Sequence, residues 1–130
     1  MANVMLCDGR GESAEVRDLA ALLRANGHEV DPRLDPNGVI EAVMQRRPDI
    51  LIYPLRADSE SDLILLRVAR RAIPEALLIV IASEGSIATR TAVQPLKPTW
   101  YSVAPADPAE LSDVIRVASR RRVHGVRPRI

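Results

Sequence analysis

The sequence predicts an α/β fold, a parallel sheet built from five strand–helix units in one domain. Three observations carry this. Short runs such as Ile50–Tyr53 and Ala76–Ala82 are apolar without alternation, the pattern of a strand buried on both faces. Between such runs lie stretches with apolar residues at helical spacing. Gly, Pro, Asn and Asp punctuate the junctions. At 130 residues the chain is long enough for one domain with a real core.

In chain order, Asn3–Cys7 is the first strand, followed by a loop holding Gly9 and Gly11. Ser13 fits the N-cap of a first helix with Val16, Leu19, Ala20 and Leu23 on its buried stripe, and Asn26-Gly27 ends it. His28–Pro32 is a short second strand. Asp35-Pro36 fits N-cap and N1 of a second helix whose stripe is Val39, Ile40, Val43 and Met44. Pro48 stops that helix, and Asp49–Leu55 is the central strand. Pro54 cannot donate to a ladder, so it is expected where that strand stops pairing.

Arg56–Ser61 reads as a polar loop and Leu63–Ile73 as a third helix ended by Pro74. Ala76–Ala82 is the fourth strand. Ile87–Gln94 is a short helix, with Ser86 as its cap and Pro95 as its stop. Thr99–Val103 has strand composition. Asp107-Pro108 then opens a last helix with Leu111, Val114, Ile115 and Ala118 inward. Right-handed crossovers and short connections make the flavodoxin-like strand order 2-1-3-4-5 the natural solution, a three-layer (βα)5 sandwich. The domain is expected over residues 1–122, with 123–130 a basic tail or linker stub.

Composition narrows the functional classes. Formal net charge is +1, so global charge points to neither nucleic acid nor membrane. Tyr53, Trp100 and Tyr101 are the only aromatic residues, so the core is aliphatic. The single cysteine, Cys7, rules out an intrachain disulfide and fits a cytoplasmic protein. No apolar run approaches the ~20 residues of a membrane span, and the N-terminal residues do not read as a secretory leader. No His/Cys/Asp/Glu set has zinc-ligand spacing, and the two histidines are too far apart to argue a Ser–His–Asp arrangement. No metal or cofactor is expected.

Over nearly its whole length the chain resembles the receiver domain of bacterial response regulators (CheY-like). The resemblance rests on Val4-Met-Leu-Cys-Asp8, Asn26-Gly-His-Glu-Val30, Pro48-Asp-Ile-Leu-Ile52, Pro74 with Leu77–Ala82, Tyr101-Ser-Val-Ala-Pro105 and Asp107-Pro-Ala-Glu-Leu111, in order and at matching spacing. It implies a phosphorylation pocket at five positions. An acidic pair that helps hold Mg²⁺ corresponds to Asp8 and Gly9. The phosphorylated aspartate corresponds to Pro54, the Thr or Ser that bonds the phosphoryl group to Ala82, and the lysine before a cis-proline to Ala104. Only Asp8 keeps its chemistry. Mg²⁺ usually takes one or two carboxylates, and Asp8 alone is a poor site.

The expectation is therefore a pseudo-receiver, not an enzyme, that works through protein contacts independently of phosphorylation, in signal transduction or transcription control. Partners of the resembling family are a sensor kinase, an effector or a second copy forming a homodimer. DNA would enter only through an output domain beyond this chain, and no membrane partner is expected. By the same resemblance the contact surface involves Arg90, Trp100, Tyr101, Arg116 and Arg120.

Alternatives stand beside this reading. The chain could be the N-terminal regulatory domain of a DNA-binding response regulator, with Arg120–Arg122 leading toward DNA. Cys7, before a glycine-containing loop, resembles the phosphocysteine loop of sugar-phosphotransferase IIB domains, which would make it a phosphocarrier. A free cysteine on an apolar strand is more simply a small buried hydrophobe. The emptied pocket could also accept a small ligand.

Overall fold

The computed structural model describes residues 3–7, 14–33, 38–56, 59–104 and 107–125, with backbone alone at 14–16, 32–33 and 119–125. Its strands are β1 (Asn3–Cys7), β2 (Glu29–Arg33), β3 (Ile50–Leu55), β4 (Leu77–Ala82) and β5 (Trp100–Val103). Its helices are α1 (Ala14–Ala25), α2 (Val39–Arg46), α3 (Glu60–Ala72), α4 (Ile87–Val93) and α5 (Pro108–Gly125). All strand pairs are parallel and the order is β2-β1-β3-β4-β5, the flavodoxin-like arrangement expected from the sequence.

Successive strand residues point to opposite faces, so the uninterrupted apolar runs feed two cores. Met5, Cys7, Leu51, Tyr53, Leu55, Leu78 and Val80 pack with Val39 and Val43 of α2, Leu66 and Ala69 of α3, and Val93 of α4. Val4, Leu6, Ile50, Ile52, Ile79 and Ile81 pack with Leu19, Ala20 and Leu23 of α1 and with Leu111 and Ile115 of α5. Asp49 ties the entry side of the sheet. Its N–H donates to the Asn3 carbonyl (2.9 Å), its Oδ2 accepts from the Asn3 N–H (3.0 Å), and its carbonyl accepts from the Leu77 N–H (2.9 Å).

Helix ends follow local chemistry. Gly27 takes φ +90° after α1, a conformation that costs a residue with a Cβ. Asp107 Oδ1 accepts from the Ala109 N–H (3.0 Å), so Asp107 and Pro108 are the N-cap and N1 of α5, as expected. α5 runs on to Gly125, across the expected boundary at 122.

Three expectations shift. Residues 34–37, and with them Asp35 and Pro36, lie outside the described residues, as does Ser13; α2 begins at Val39 with Gly38 at its N-cap and no side-chain cap. Met44 is 62 % exposed rather than inward, because Val39, Ala42 and Val43 already define the buried face of this short helix. α3 starts at Glu60, three residues before Leu63, because Ser59 Oγ accepts from the Asp62 N–H (3.2 Å) and nucleates the turn earlier. Among the described residues no helix is long and apolar enough to cross a membrane.

Arg70 fastens α3 to the far side of the sheet. Its guanidinium donates to the carbonyls of Ala76 (2.6 Å), Leu96 (3.0 Å) and Lys97 (3.2 Å). It thereby holds the 3₁₀ turn Gln94–Leu96 and the left-handed Lys97 that deliver the chain into β5.

Two substitutions separate packing from backbone effects. Leu78→Ala empties a site that is 1 % exposed and is expected to cost about 2–5 kcal/mol. Gly27→Ala meets no atom within 4 Å, so its cost is the left-handed backbone alone, about 1 kcal/mol. Urea unfolding followed by far-UV circular dichroism measures both. Equal losses would contradict this division.

Candidate functional site

In an open parallel sheet, functional groups gather at the carboxyl ends of the strands. The described register places Leu55, Ala82 and Val103 in one row across β3, β4 and β5, and Pro54, Ile81 and Ser102 in the row before it. The Ala104 N–H donates to the Ala82 carbonyl (2.7 Å) and the Ser83 N–H to the Leu55 carbonyl (2.9 Å). Pro54, Ala82 and Ala104 thus meet at one edge of the sheet. Asp8 and Gly9 follow the end of β1 and lie outside the described residues.

Pro54 does not end the pairing, contrary to the sequence expectation. It remains in β3 opposite Ile81. Backbone groups of successive residues face alternate neighbours, and the Leu55 carbonyl bonds toward β4, so the nitrogen of Pro54 faces β1. Among the described residues the β1 register runs only to Leu6 opposite Ile52.

The chemistry of this edge is apolar. Pro54 is half-buried, Ala82 is fully buried, and Ala104 packs against the α1–α5 core. These three side chains supply neither nucleophile, hydroxyl nor cation. They also supply no oxygen for Mg²⁺, which is held by carboxylates and waters. Among the described residues no group of three or more His, Cys, Asp or Glu could hold a metal ion. The described residues of this edge do not fit a divalent cation.

Polar chemistry lies at the same strand end on the face opposite Pro54 and Ala104, at a residue the sequence analysis missed. Asp62, in the first turn of α3, is 3 % exposed. Arg56 grips it with two side-chain bonds, Nε to Oδ2 (2.9 Å) and Nη2 to Oδ1 (2.8 Å), and with its backbone N–H to Oδ2 (3.1 Å). Tyr53 Oη donates to Oδ1 (3.3 Å). Burial alone would raise the Asp62 carboxyl, but the bonds and charge of Arg56, with the Tyr53 bond, outweigh it and hold the group below its ordinary value. Burial, then the Asp62 charge, pushes the Tyr53 phenol well above its usual range. The signal in the sequence was Ser59-x-x-Asp62 ahead of an apolar run, a helix-start pattern.

The other candidates are distributed. Cys7 is buried in the core shared with α2 and α3. The Arg90 guanidinium lies 5.3 Å from the centre of the Tyr101 ring, a cation–π contact across α4 and β5. Trp100 packs against the α1–α5 core and Tyr101 against the opposite one, both half-buried. Trp100 Nε1, Tyr101 Oη and Ser102 Oγ are buried without a hydrogen-bond partner among the described residues. Arg116 bonds Asp113 one turn back (3.1 Å) in an exposed pair. Arg120 lies on α5, and its side chain is outside the described residues.

Asp62→Asn keeps the shape and removes the charge. The expected loss is about 2 kcal/mol at neutral pH, less than the ~3–5 of a fully buried pair because the Arg56 side chain is 38 % exposed. A carboxyl held lower in the folded than in the unfolded chain adds stability above the ordinary carboxylate value of 3.8. That stability fades as pH falls below it. Urea titrations should show the gap between the parent and Asp62→Asn closing from pH 7 to pH 3; a gap that widens on acidification would refute the assignment.

No protein-family model matches the chain, and no curated protein matches it in sequence. Solved structures do. A CheY-like response regulator receiver domain protein from Methanospirillum hungatei JF-1 superposes with a TM-score of 0.84 at 14 % identity, covering 96 % of this chain and 98 % of that one. A response regulator receiver domain protein from Clostridium thermocellum gives 0.80 at 19 % identity over 95 % and 98 %. A response regulator protein from Burkholderia multivorans gives 0.73 at 24 % identity over 92 % and 96 %. With the same strand order and near-complete coverage on both sides, this chain has the receiver-domain fold.

Proposed function

We propose that the chain is a pseudo-receiver, a regulatory module of signal transduction that acts through protein contacts without being phosphorylated. One observation carries the reading. At the sheet edge where a receiver carries its phosphoacceptor, hydroxyl and lysine, this chain has Pro54, Ala82 and Ala104, joined through adjacent strands and without a reactive group among them. The nearby buried carboxylate, Asp62, is engaged by Arg56 and Tyr53. A carboxylate so held below its ordinary value is a poor nucleophile toward a phosphoryl donor.

The partner is a protein: a kinase, an effector or a second copy. The α4–β5–α5 side offers half-buried aromatic residues and exposed Ile87 and Val103, and interfaces enrich aromatic residues. The burial of Cys7 favours its reading as a core residue over that of a phosphocarrier nucleophile.

Incubation with acetyl phosphate and Mg²⁺, followed by intact mass, tests the proposal. The expected result is no adduct of about 80 Da on the parent chain, and none on Pro54→Asp, which restores the carboxylate but leaves Gly9, Ala82 and Ala104. A stable adduct on an aspartate of the parent chain would overturn the reading. An adduct on Cys7 would replace it with a phosphocysteine carrier.

A further inference from the structure

α2 and α3 leave an apolar strip uncovered. Leu66 and Ala69 mark the inward direction of α3. Arg70 lies on the flank toward α4, since it reaches the carbonyls of Leu96 and Lys97. At about 100° per residue, Leu65 and Val68 then fall on the flank toward α2, with Ile64 next to them on the outer surface. Just past α2, Arg47 pairs with Glu75 just past α3 (3.0 Å). α2 and α3 run the same way on one face of the sheet, so as Arg70 follows the inward Ala69 on the far flank of α3, Ile40 and Met44 follow the inward Val39 and Val43 on the flank of α2 toward α3. Met44 and Val68 border the seam between the helices, and Ile64 extends the strip outward. Exposure of these three side chains is 62 %, 44 % and 55 %.

Along the later turns of α3 the margin of the strip is basic, while the exposed Glu60 and Glu41 stand at its N-terminal end. Arg67 and Arg71 are exposed, one helical turn apart on the outer surface of α3, and neither has an ion-pair or hydrogen-bond partner among the described residues. Like charges at that spacing repel on an isolated helix, and an anion between them relieves the repulsion. Contiguous exposed apolar surface with a polar rim marks a contact site more than scattered single residues do.

We propose that the α2–α3 face docks an acidic amphipathic helix of a partner protein. Its apolar stripe would lie along Met44, Val68 and Ile64, and its Glu or Asp side chains would meet Arg67 and Arg71. A helix lying in a groove between helices reads such anchors at three- and four-residue spacing. This site is separate from the α4–β5–α5 side and does not depend on whether the chain is phosphorylated.

The test is methyl and amide NMR of the full chain titrated with a synthetic helical peptide bearing a leucine stripe flanked by glutamates. Its lysine-for-glutamate counterpart serves as control. The expected shifts centre on Met44, Ile64 and Val68. Binding should be about tenfold weaker for the lysine peptide, and weaker for the glutamate peptide in R67E/R71E, where the lysine peptide should gain. Val68→Glu should abolish binding while leaving amide shifts of the sheet unchanged, which separates docking from unfolding. Shifts centred on α4 and β5, equal binding of both peptides, or no binding at millimolar peptide would each overturn the proposal. So would movement of the same methyls on diluting the chain alone, which would assign the strip to a second copy.

Discussion

The fold depends on one constraint: β3 is covered on both faces and hydrogen-bonded on both edges. A strand in that position has to be apolar at every turn of the pleat, and Ile50 to Tyr53 are each at most 4 % exposed. Fully burying an aliphatic side chain of this size stabilises by about 1.5–3 kcal/mol, and each layer of helices is needed to realise it. α1 and α5 cover Ile50 and Ile52, while α2 and α3 cover Leu51, Tyr53 and Leu55. Removing either layer would expose half the central strand. With only three aromatic residues in the chain, shape complementarity among Leu, Ile, Val and Ala carries the packing.

The carboxyl end of this strand divides its chemistry between its two faces. On one, Pro54 and Ala104 make a surface without charge. On the other, Tyr53 reaches Asp62, whose charge is answered by Arg56 from the same connection. Four hydrogen bonds to one carboxylate tie the end of β3 to the first turn of α3. A receiver that signals by phosphorylation needs this end of the sheet to respond to a ligand. Here the polar groups at this strand end, Tyr53, Arg56 and Asp62, are engaged with one another.

Much of this was legible in the sequence, for identifiable reasons. Strands such as Leu77–Ala82 are uninterrupted apolar runs between strong punctuators, and Asp107-Pro108 announces a helix start by local chemistry alone. The strand order followed from short right-handed connections. Pro54, Ala82 and Ala104 were named together through the resemblance to receiver domains, which aligns each of them with the end of a strand. What was missed depends on distant approach or on competition between faces. Asp62 fell between the loop read to Ser61 and the helix read from Leu63, and nothing local says that Arg56 and Tyr53 converge on it. Met44 fitted a helical stripe, but a helix of eight residues buries only one narrow face. The Arg90–Tyr101 contact joins elements whose relative placement no periodicity encodes.

Trp100 has a practical consequence of its own. It is the only tryptophan of the chain, and it stands on the edge strand, packed against the α1–α5 core with its indole nitrogen buried and without a hydrogen-bond partner among the described residues. A ring packed partly against an apolar core emits at shorter wavelength than one in water. Its fluorescence therefore reports, without any label, on whether α5 stays seated against the edge of the sheet. The chain thus carries its own optical gauge of the packing between β5 and α5.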